Sequence, residues 1–323
     1  MSTITRSASQ QIIEEVTSWP GVDAGPGRRG EFAFRVGRRE IGHLHGDRAA
    51  HFSFPKNVWT ELFEQGRVVH HPVFPDKEGP AARGIHDEDD VRDVIELLRL
   101  NYGRVVERHG LPLEQIGDGL YASRPEPLPF ARTLAIRAFL LQREGGNVMI
   151  YSTKGFDAAA TKPLGGISRQ YLNHQHEASF AADSVSAPLF VHDADRPAVA
   201  ERMHVRGGFS KRHFYEDDLE VIPTPGHTPG ATAYLWDSGE HRYLFTGDTI
   251  YLRDGEWVAA VLDSSDREAY IASLELIKEL DFDVLVPWAA TSGQPAYAPT
   301  IRDDARKRID AIVTRLRDPS LSS

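Results

Sequence analysis

The sequence predicts two domains of mixed α and β structure: a small α+β domain over residues 1–112, then an α/β four-layer αββα sandwich over residues 113–323. Three observations carry this reading. A chain of 323 residues exceeds the roughly 100–200 residues of a single domain. A long helical periodicity stops at Gly110-Leu-Pro, and the texture changes from Gln115 onward. Beyond that point, strand-like runs alternate with helices that have only one apolar face, as in two facing sheets with helices outside.

The elements follow in order. Ile12, Ile13, Val16 and Trp19 fall near helical spacing, with Ser9 as a cap. Residues 21–30 are rich in Gly, Pro and Arg and read as loop. Phe32, Phe34 and Val36 alternate, which predicts a half-buried strand, with neighbours over 40–45 and 49–54. Residues 55–65 read as a helix closed by Gly66, and 68–74 as a strand. Asp87 caps the longest helix, whose buried stripe is Val91, Val94, Leu98, Tyr102 and Val105. In the second domain, strands are expected over 120–123, 133–142, 147–152, 189–192, 219–223, 231–236, 243–246 and 284–286. Helices are expected near 196–204, 266–280 and 300–316.

Composition narrows the function. The chain is 41% hydrophobic and 26% charged, which suits an ordinary folded protein. Its net charge is −10, so no nucleic-acid partner is expected, since such partners need a basic face. There is no cysteine; any metal must be held by His, Asp or Glu. No apolar run approaches the roughly eighteen residues of a span, so no membrane partner is expected. Arg6, Glu14 and Glu15 interrupt the start of the chain, no leader is expected, and a cytoplasmic location follows by default.

Three pieces carry the candidate chemistry. In Asn173-His174-Gln175-His176-Glu177, two histidines at i and i+2 of an extended chain point the same way and can meet one cation. Thr224-Pro-Gly-His227-Thr-Pro-Gly230 holds one imidazole in a rigid loop after the apolar pair Val221-Ile222. Thr246-Gly-Asp248-Thr249 places a carboxylate at the end of the strand Tyr243-Leu-Phe. Singly, each has a plain structural alternative: a packed histidine, a backbone-bonded loop histidine, a turn cap.

Taken together and in this order, the three pieces resemble the motif set of the metallo-β-lactamase fold over residues 113–323. The resemblance implies a metal site between two sheets, with His174, His176 and His227 at the first position and Asp248 as the carboxylate that ordinarily bridges two ions. The family pattern His-x-His-x-Asp-His departs here to Ala178 and Ser179. The family's late Pro-Gly-His loop reads Pro287-Trp288-Ala289. Three ligands of the second position are therefore missing, and the two-metal arrangement that clamps attacking and leaving oxygens is not expected. The run from Glu31 to Asp47 (EFAFRVGRREIGHLHGD) with His70-His71-Pro72 resembles a small family named luciferase-like; the name implies no reaction here.

The expectation is thus a metal-dependent hydrolase of a small ester, lactone or amide, holding one divalent ion, zinc first and iron second. Asp248 serves as fourth ligand or general base, and Glu177 is the second candidate base. The alternatives are a non-catalytic binding or regulatory protein on a decayed enzyme fold, or a mononuclear iron redox enzyme. Residues 1–112 leave open the binding of substrate, of a partner, or of a second copy in a homodimer. His43 and His45, with Asp47 nearby, read as packed histidines, a second metal site being the alternative. Lys211 and Arg212 read as a solvated pair.

Overall fold

A computed structural model describes residues 6–27 and 30–318. The chain divides into two compact units, Met1–Pro112 and Leu113–Ser323. Six α-helices are described: α1 Ala8–Thr17, α2 Lys56–Glu64, α3 Glu88–His109, α4 Arg196–Ala200, α5 Arg267–Lys278 and α6 Arg302–Arg317.

The first unit is built on a six-stranded antiparallel sheet. Its order is Val22–Pro26, Phe32–Val36, Arg39–Leu44, Ala49–Ser53, Pro80–Gly84, Val69–His70. Ile12 and Val16 of α1 and Val94, Leu97 and Leu98 of α3 pack with Phe34, Ile41, Ala50 and Phe52 of the sheet. Asp87 caps α3 by accepting from the N–H groups of Asp89 and Asp90. Three expectations are corrected. Ser7, not Ser9, caps α1, in a reciprocal box with Gln10. Val22–Pro26 is a strand, pairing with Phe32–Val36; at a sheet edge Gly25 and Pro26 are tolerated. Of residues 68–74 only Val69–His70 joins the ladder, because the chain turns back from His71 to Phe74. Pro80–Gly84 gave no strand signal, since Ala, Arg and Gly lack the β-branched or aromatic side chains that mark one.

The second unit contains a seven-stranded and a six-stranded sheet face to face, with a five-stranded sheet beside them. Phe139, Tyr151 and Phe245 meet in the core between the two main sheets. Two buried tyrosines tie them: Tyr151 Oη donates to Val286 O at 2.7 Å, and Tyr234 Oη to Leu172 O at 2.5 Å. Tyr270, Leu274 and Ile277 of α5 and Ile309, Ile312 and Val313 of α6 pack against this core. Val199 of α4 packs on Leu172, Ala178, Leu189 and Val191. This is the αββα sandwich. The expected single strand over 133–142 is two strands in different sheets. Ala131–Ile136 pairs with Ala289–Thr291, whereas Phe139–Leu141 pairs with Val148–Ile150 and Leu120–Ala122. The break falls between Arg137, whose N–H still donates to Trp288 O in register with the first pairing, and Ala138, whose N–H donates to Ser123 Oγ beside the second, both at 3.0 Å. No described helix is long and apolar enough to cross a membrane.

This topology sets up the site. His174 follows Arg169–Tyr171, His227 follows Leu219–Pro223, Asp248 follows Arg242–Gly247, and Trp288 follows Val284–Pro287. The last two strands are parallel neighbours. Each of these side chains therefore leaves the carboxyl end of a strand, where open α/β sheets place their ligands.

Candidate metal centre

His174 is extended (φ −153°, ψ 164°), but residues Gln175–Phe180 form a 3-10 helix. The His-x-His segment is thus the start of a tight helical turn rather than a strand. The turn still brings the two imidazoles together, with ring centroids 5.2 Å apart, and His227 lies 4.8 Å and 5.2 Å from them. One ring nitrogen from each of the three converges within 4.8 Å.

Hydrogen bonds assign the nitrogens. His227 Nδ1 faces Ala260 O at 2.6 Å and donates to it, which leaves the Nε2 lone pair inward. His174 Nδ1 lies 3.0 Å from Asn173 Oδ1 and is its donor. His174 Nε2 is then left buried with no hydrogen-bond partner. It lies 3.5 Å from Asp248 Oδ2, His227 Nε2 lies 3.6 Å from the same oxygen, and His176 Nδ1 is 3.2 Å from His227 Nε2. Four donors at about 2.1 Å from one ion in a tetrahedron stand about 3.4 Å apart. These three separations are close to that edge, and the orphaned His174 nitrogen is free to meet a cation. The residues present fit a divalent metal ion.

Electrostatics agree. Burial, partly opposed by Asp248, pushes His174 down to about 3. Burial also lowers His176 and His227. All three are neutral lone-pair donors at neutral pH. Burial raises the Asp248 carboxyl against the pull of the His174 imidazole.

The backbone explains how the pieces are held. Gly247 sits at φ +55°, and a Cβ there would meet Asn173 Oδ1 at 2.0 Å. Only glycine fits the turn that aims Asp248. Gly226 lets the His227 loop approach α5 closely; a Cβ would fall 2.4 Å from Tyr270 Cα. Tyr270 Oη donates to the carbonyls of Asp248 and Thr249, both at 2.9 Å.

Two residues that gave no functional signal in the sequence join the motifs. The Asn173 amide donates to Thr232 O and, at 3.1 Å, to Thr246 O, while its oxygen meets His174. It links the His-x-His piece to the Asp248 piece and to the strand Thr232–Asp237 that follows the His227 loop. Buried Asp195 accepts from Gln175 N at 2.9 Å, Thr228 Oγ1 at 2.7 Å and Gly230 N at 2.8 Å. It clamps the His-x-His turn to the His227 loop. Its only sequence signal, an acidic residue before Arg196-Pro197, reads as a helix cap, yet its side chain makes no cap bond.

Glu177, the second candidate base, lies away from the cavity and is fully buried. Its carboxylate accepts from the N–H groups of Ser152 (2.9 Å), Asn173 (2.7 Å) and His174 (3.2 Å). Burial pushes it up to about 8 against those three donors. The 3-10 turn aims it at the backbone of its own segment and of Ser152, as a brace, with Oε1 3.3 Å from His174 Nδ1. In the N-terminal unit, Asp47 accepts from Ser9 N at 2.7 Å and does not join the nearby histidines. Arg212 pairs with Glu220 at 2.6 Å.

A cavity of about 710 Å³ opens on His176, His227 and Asp248. Phe130, Leu134, Phe180, Leu262 and Trp288 give it apolar walls, and Lys154 and Arg253 also line it. Ser179 and Ala289 face it without offering a strong ligand. Trp288 is buried, donates from Nε1 to Ser152 O at 2.9 Å, and stands edge-on to His174 and Phe180. It both fills space beside the lost ligand position and lines the cavity.

Residues 172–289 match the family model of the Metallo-beta-lactamase superfamily, and residues 38–101 that of the Luciferase domain. Among solved structures, the chain is similar to the metallo-beta-lactamase FIM-1 from Pseudomonas aeruginosa in its mono-zinc form. The two are 10% identical, with 65% of this chain and 98% of that one covered at a TM-score of 0.50. It is also similar to a metallo beta lactamase from Hirschia baltica, at 15% identity, 62% and 98% coverage and a TM-score of 0.47. Comparison with curated proteins gives no match.

Proposed function

We propose that this metallo-β-lactamase-fold domain hydrolyses a small ester, lactone or amide with one divalent ion, zinc, at His174, His176 and His227. The superfamily match and the histidine triad fit a metal-dependent hydrolase. One observation carries the single-ion reading. Three imidazole nitrogens converge beside the cavity, with Asp248 Oδ2 3.5 and 3.6 Å from two of them, and the family's second ligand positions read Ala178, Ser179 and Ala289 in the sequence.

A bound zinc polarises a carbonyl and brings a water's pKa down to about 7. The remaining tasks fall to side chains. Asn173 Oδ1 and Ala260 O fix the tautomers of His174 and His227. Asp248 is the carboxylate facing the imidazoles; with the three histidines as the ligands, its Oδ2 would be free to take the proton of the attacking water. Phe130, Leu134, Phe180 and Trp288 exclude bulk water and receive the apolar part of the substrate. Lys154 and Arg253 favour a substrate that carries an anionic group.

The test is elemental analysis of protein purified without added metal, alongside a panel of esters, lactones and amides. His176→Ala is expected to lose one equivalent of metal and all turnover. Retained metal and turnover in that variant overturn the reading. Iron in place of zinc, with oxygen consumption, moves it to redox chemistry.

A further inference from the structure

We propose that the N-terminal unit carries its own transition-metal site, formed by His43, His45 and His51 on one face of its sheet, for a borderline first-row divalent ion. The inference is independent of the reading of the C-terminal domain.

The sheet register builds the cluster. His43 and His51 are directly paired across adjacent antiparallel strands, and His45 follows His43 by two residues, so all three project to the same side. Leu44, Ala50 and Phe52, which alternate with them, project to the opposite face and pack in the helix-covered core. One ring nitrogen from each histidine lies within 4.8 Å of the others. Ring centroids are 5.1 Å apart for His43 and His45, 5.2 Å for His43 and His51, and 4.4 Å for His45 and His51. These spacings resemble those of the triad in the other domain. Drawing the nitrogens to the ~3.4 Å edge of a tetrahedral site takes only side-chain rotation.

The hydrogen bonding separates a site from packed histidines. His43 Nδ1 donates to Glu40 Oε1 at 2.6 Å, which fixes the proton there and turns Nε2 into a lone pair. A carboxylate behind an imidazole in this way is the usual support of a metal ligand. His51 is 8% exposed, and no hydrogen bond to its ring occurs among the described residues. A metal ion would supply a partner for that ring. His71 is near, with its ring centroid 4.3 Å from that of His51. However, its Nδ1 accepts from Val73 N at 3.1 Å, so its proton stays on Nε2. It is therefore a hydrogen-bond donor beside the site rather than a fourth ligand. His45 is exposed, and the fourth position faces that open side. An all-imidazole set with no carboxylate ligand selects zinc, copper or nickel over magnesium and calcium.

The experiment is equilibrium dialysis of the full chain against zinc, followed by elemental analysis, with unfolding curves as a folding control. Wild type is expected to hold two equivalents per chain, His45→Ala one, His176→Ala one, and the double variant none. Because His45 is exposed, its substitution leaves the fold intact. Glu40→Gln is expected to weaken the N-terminal site about 10- to 100-fold at unchanged saturating stoichiometry, a shift that mere packing would not give. Stoichiometry unaffected by His45→Ala overturns the proposal. So does a wild-type stoichiometry of one that His176→Ala abolishes. Zinc lost on His45→Ala but kept on His176→Ala supports it while removing the C-terminal reading.

Discussion

Asp195 offers the sharpest test of how the C-terminal site is held together. Its buried carboxylate satisfies three donors: two backbone N–H groups, of Gln175 and Gly230, and the Thr228 hydroxyl. Asp195→Ala strands both N–H groups, each at a cost of about 1–3 kcal/mol, while the hydroxyl rotates to another acceptor. Relief of the carboxylate's own desolvation offsets part of this, so the expected loss is about 2–4 kcal/mol. That is a large share of the roughly 5–15 kcal/mol that holds a domain folded. Asp195→Asn keeps the oxygen that serves Gln175 and Thr228 and turns its NH2 toward Gly230 N, losing about 1–3 kcal/mol. Both variants loosen the join between the His-x-His turn and the His227 loop, so zinc affinity of the folded protein should fall about 10- to 100-fold. Urea unfolding of the metal-free protein measures the first effect and chelator competition the second. If Asp195→Ala stays within about 0.5 kcal/mol of wild type, or zinc affinity is unchanged while stability falls, the clamp is refuted.

Other predictions follow from the same geometry. Glu177→Gln should lower stability by about 1–3 kcal/mol, because an amide offers only one acceptor oxygen to three N–H donors. Turnover per folded, metal-loaded molecule should be unchanged, whereas Asp248→Asn should lose turnover; steady-state kinetics on metal-quantified protein separates the two. Gly247→Ala should lose metal and stability together, since the new Cβ meets Asn173 Oδ1 at 2.0 Å in a left-handed turn; circular-dichroism melts and elemental analysis check it. For pH, partial burial raises Asp218, but the ionic bonds from Arg143 outweigh it and hold the carboxyl below its ordinary value. A depressed folded pKa contributes stability above the unfolded value near 3.9 and loses it as pH falls below that value through the folded one. The stability gap between wild type and Asp218→Asn should therefore be full at neutral pH and close in acid, as measured by unfolding at stepped pH.

What the sequence reveals of this site, and what it hides, follows from how each residue acts. His174, His176, His227 and Asp248 are legible because a ligand set needs particular side chains at fixed spacings beside strands. Asn173 and Asp195 are not. They act by reaching across about 35 to 73 residues of chain, a distance no local pattern encodes. Glu177 misleads because a carboxylate beside two ligands looks chemical. Its direction depends on whether the turn is extended or 3-10, and this segment is too short for periodicity to decide. The fold shows the same division. Long helices with one apolar stripe, such as α3, are plain, whereas Ala131–Ile136 and Phe139–Leu141 read as one strand. Apolar residues run on from Leu134 to Leu141 with only Arg137 between, and the switch of partners there, from Trp288 to Ser123, has no local signal.

On the single-ion reading, the absence of a second ligand set is built into the packing and is not reversed by restoring one residue. Ser179 and Ala289 still face the cavity. Ala178 does not line it; it is buried in the outer apolar cluster with Leu172, Leu189, Val191 and Val199. An aspartate introduced there enters that cluster instead of reaching an ion. Ala178→Asp is therefore predicted to destabilise the domain by about 3–5 kcal/mol, the cost of an uncompensated buried charge, and to leave the metal content of the C-terminal site at one equivalent. Ser179→His and Ala289→His are predicted to be milder, since their side chains emerge into open volume, limited by Trp288 on one wall. Urea unfolding and elemental analysis in a His45→Ala background, which removes the N-terminal contribution, read both effects. A gain of one equivalent on Ala178→Asp alone would mean that the turn after His176 re-registers, and that its 3-10 form with Glu177 as brace is not what fixes the site.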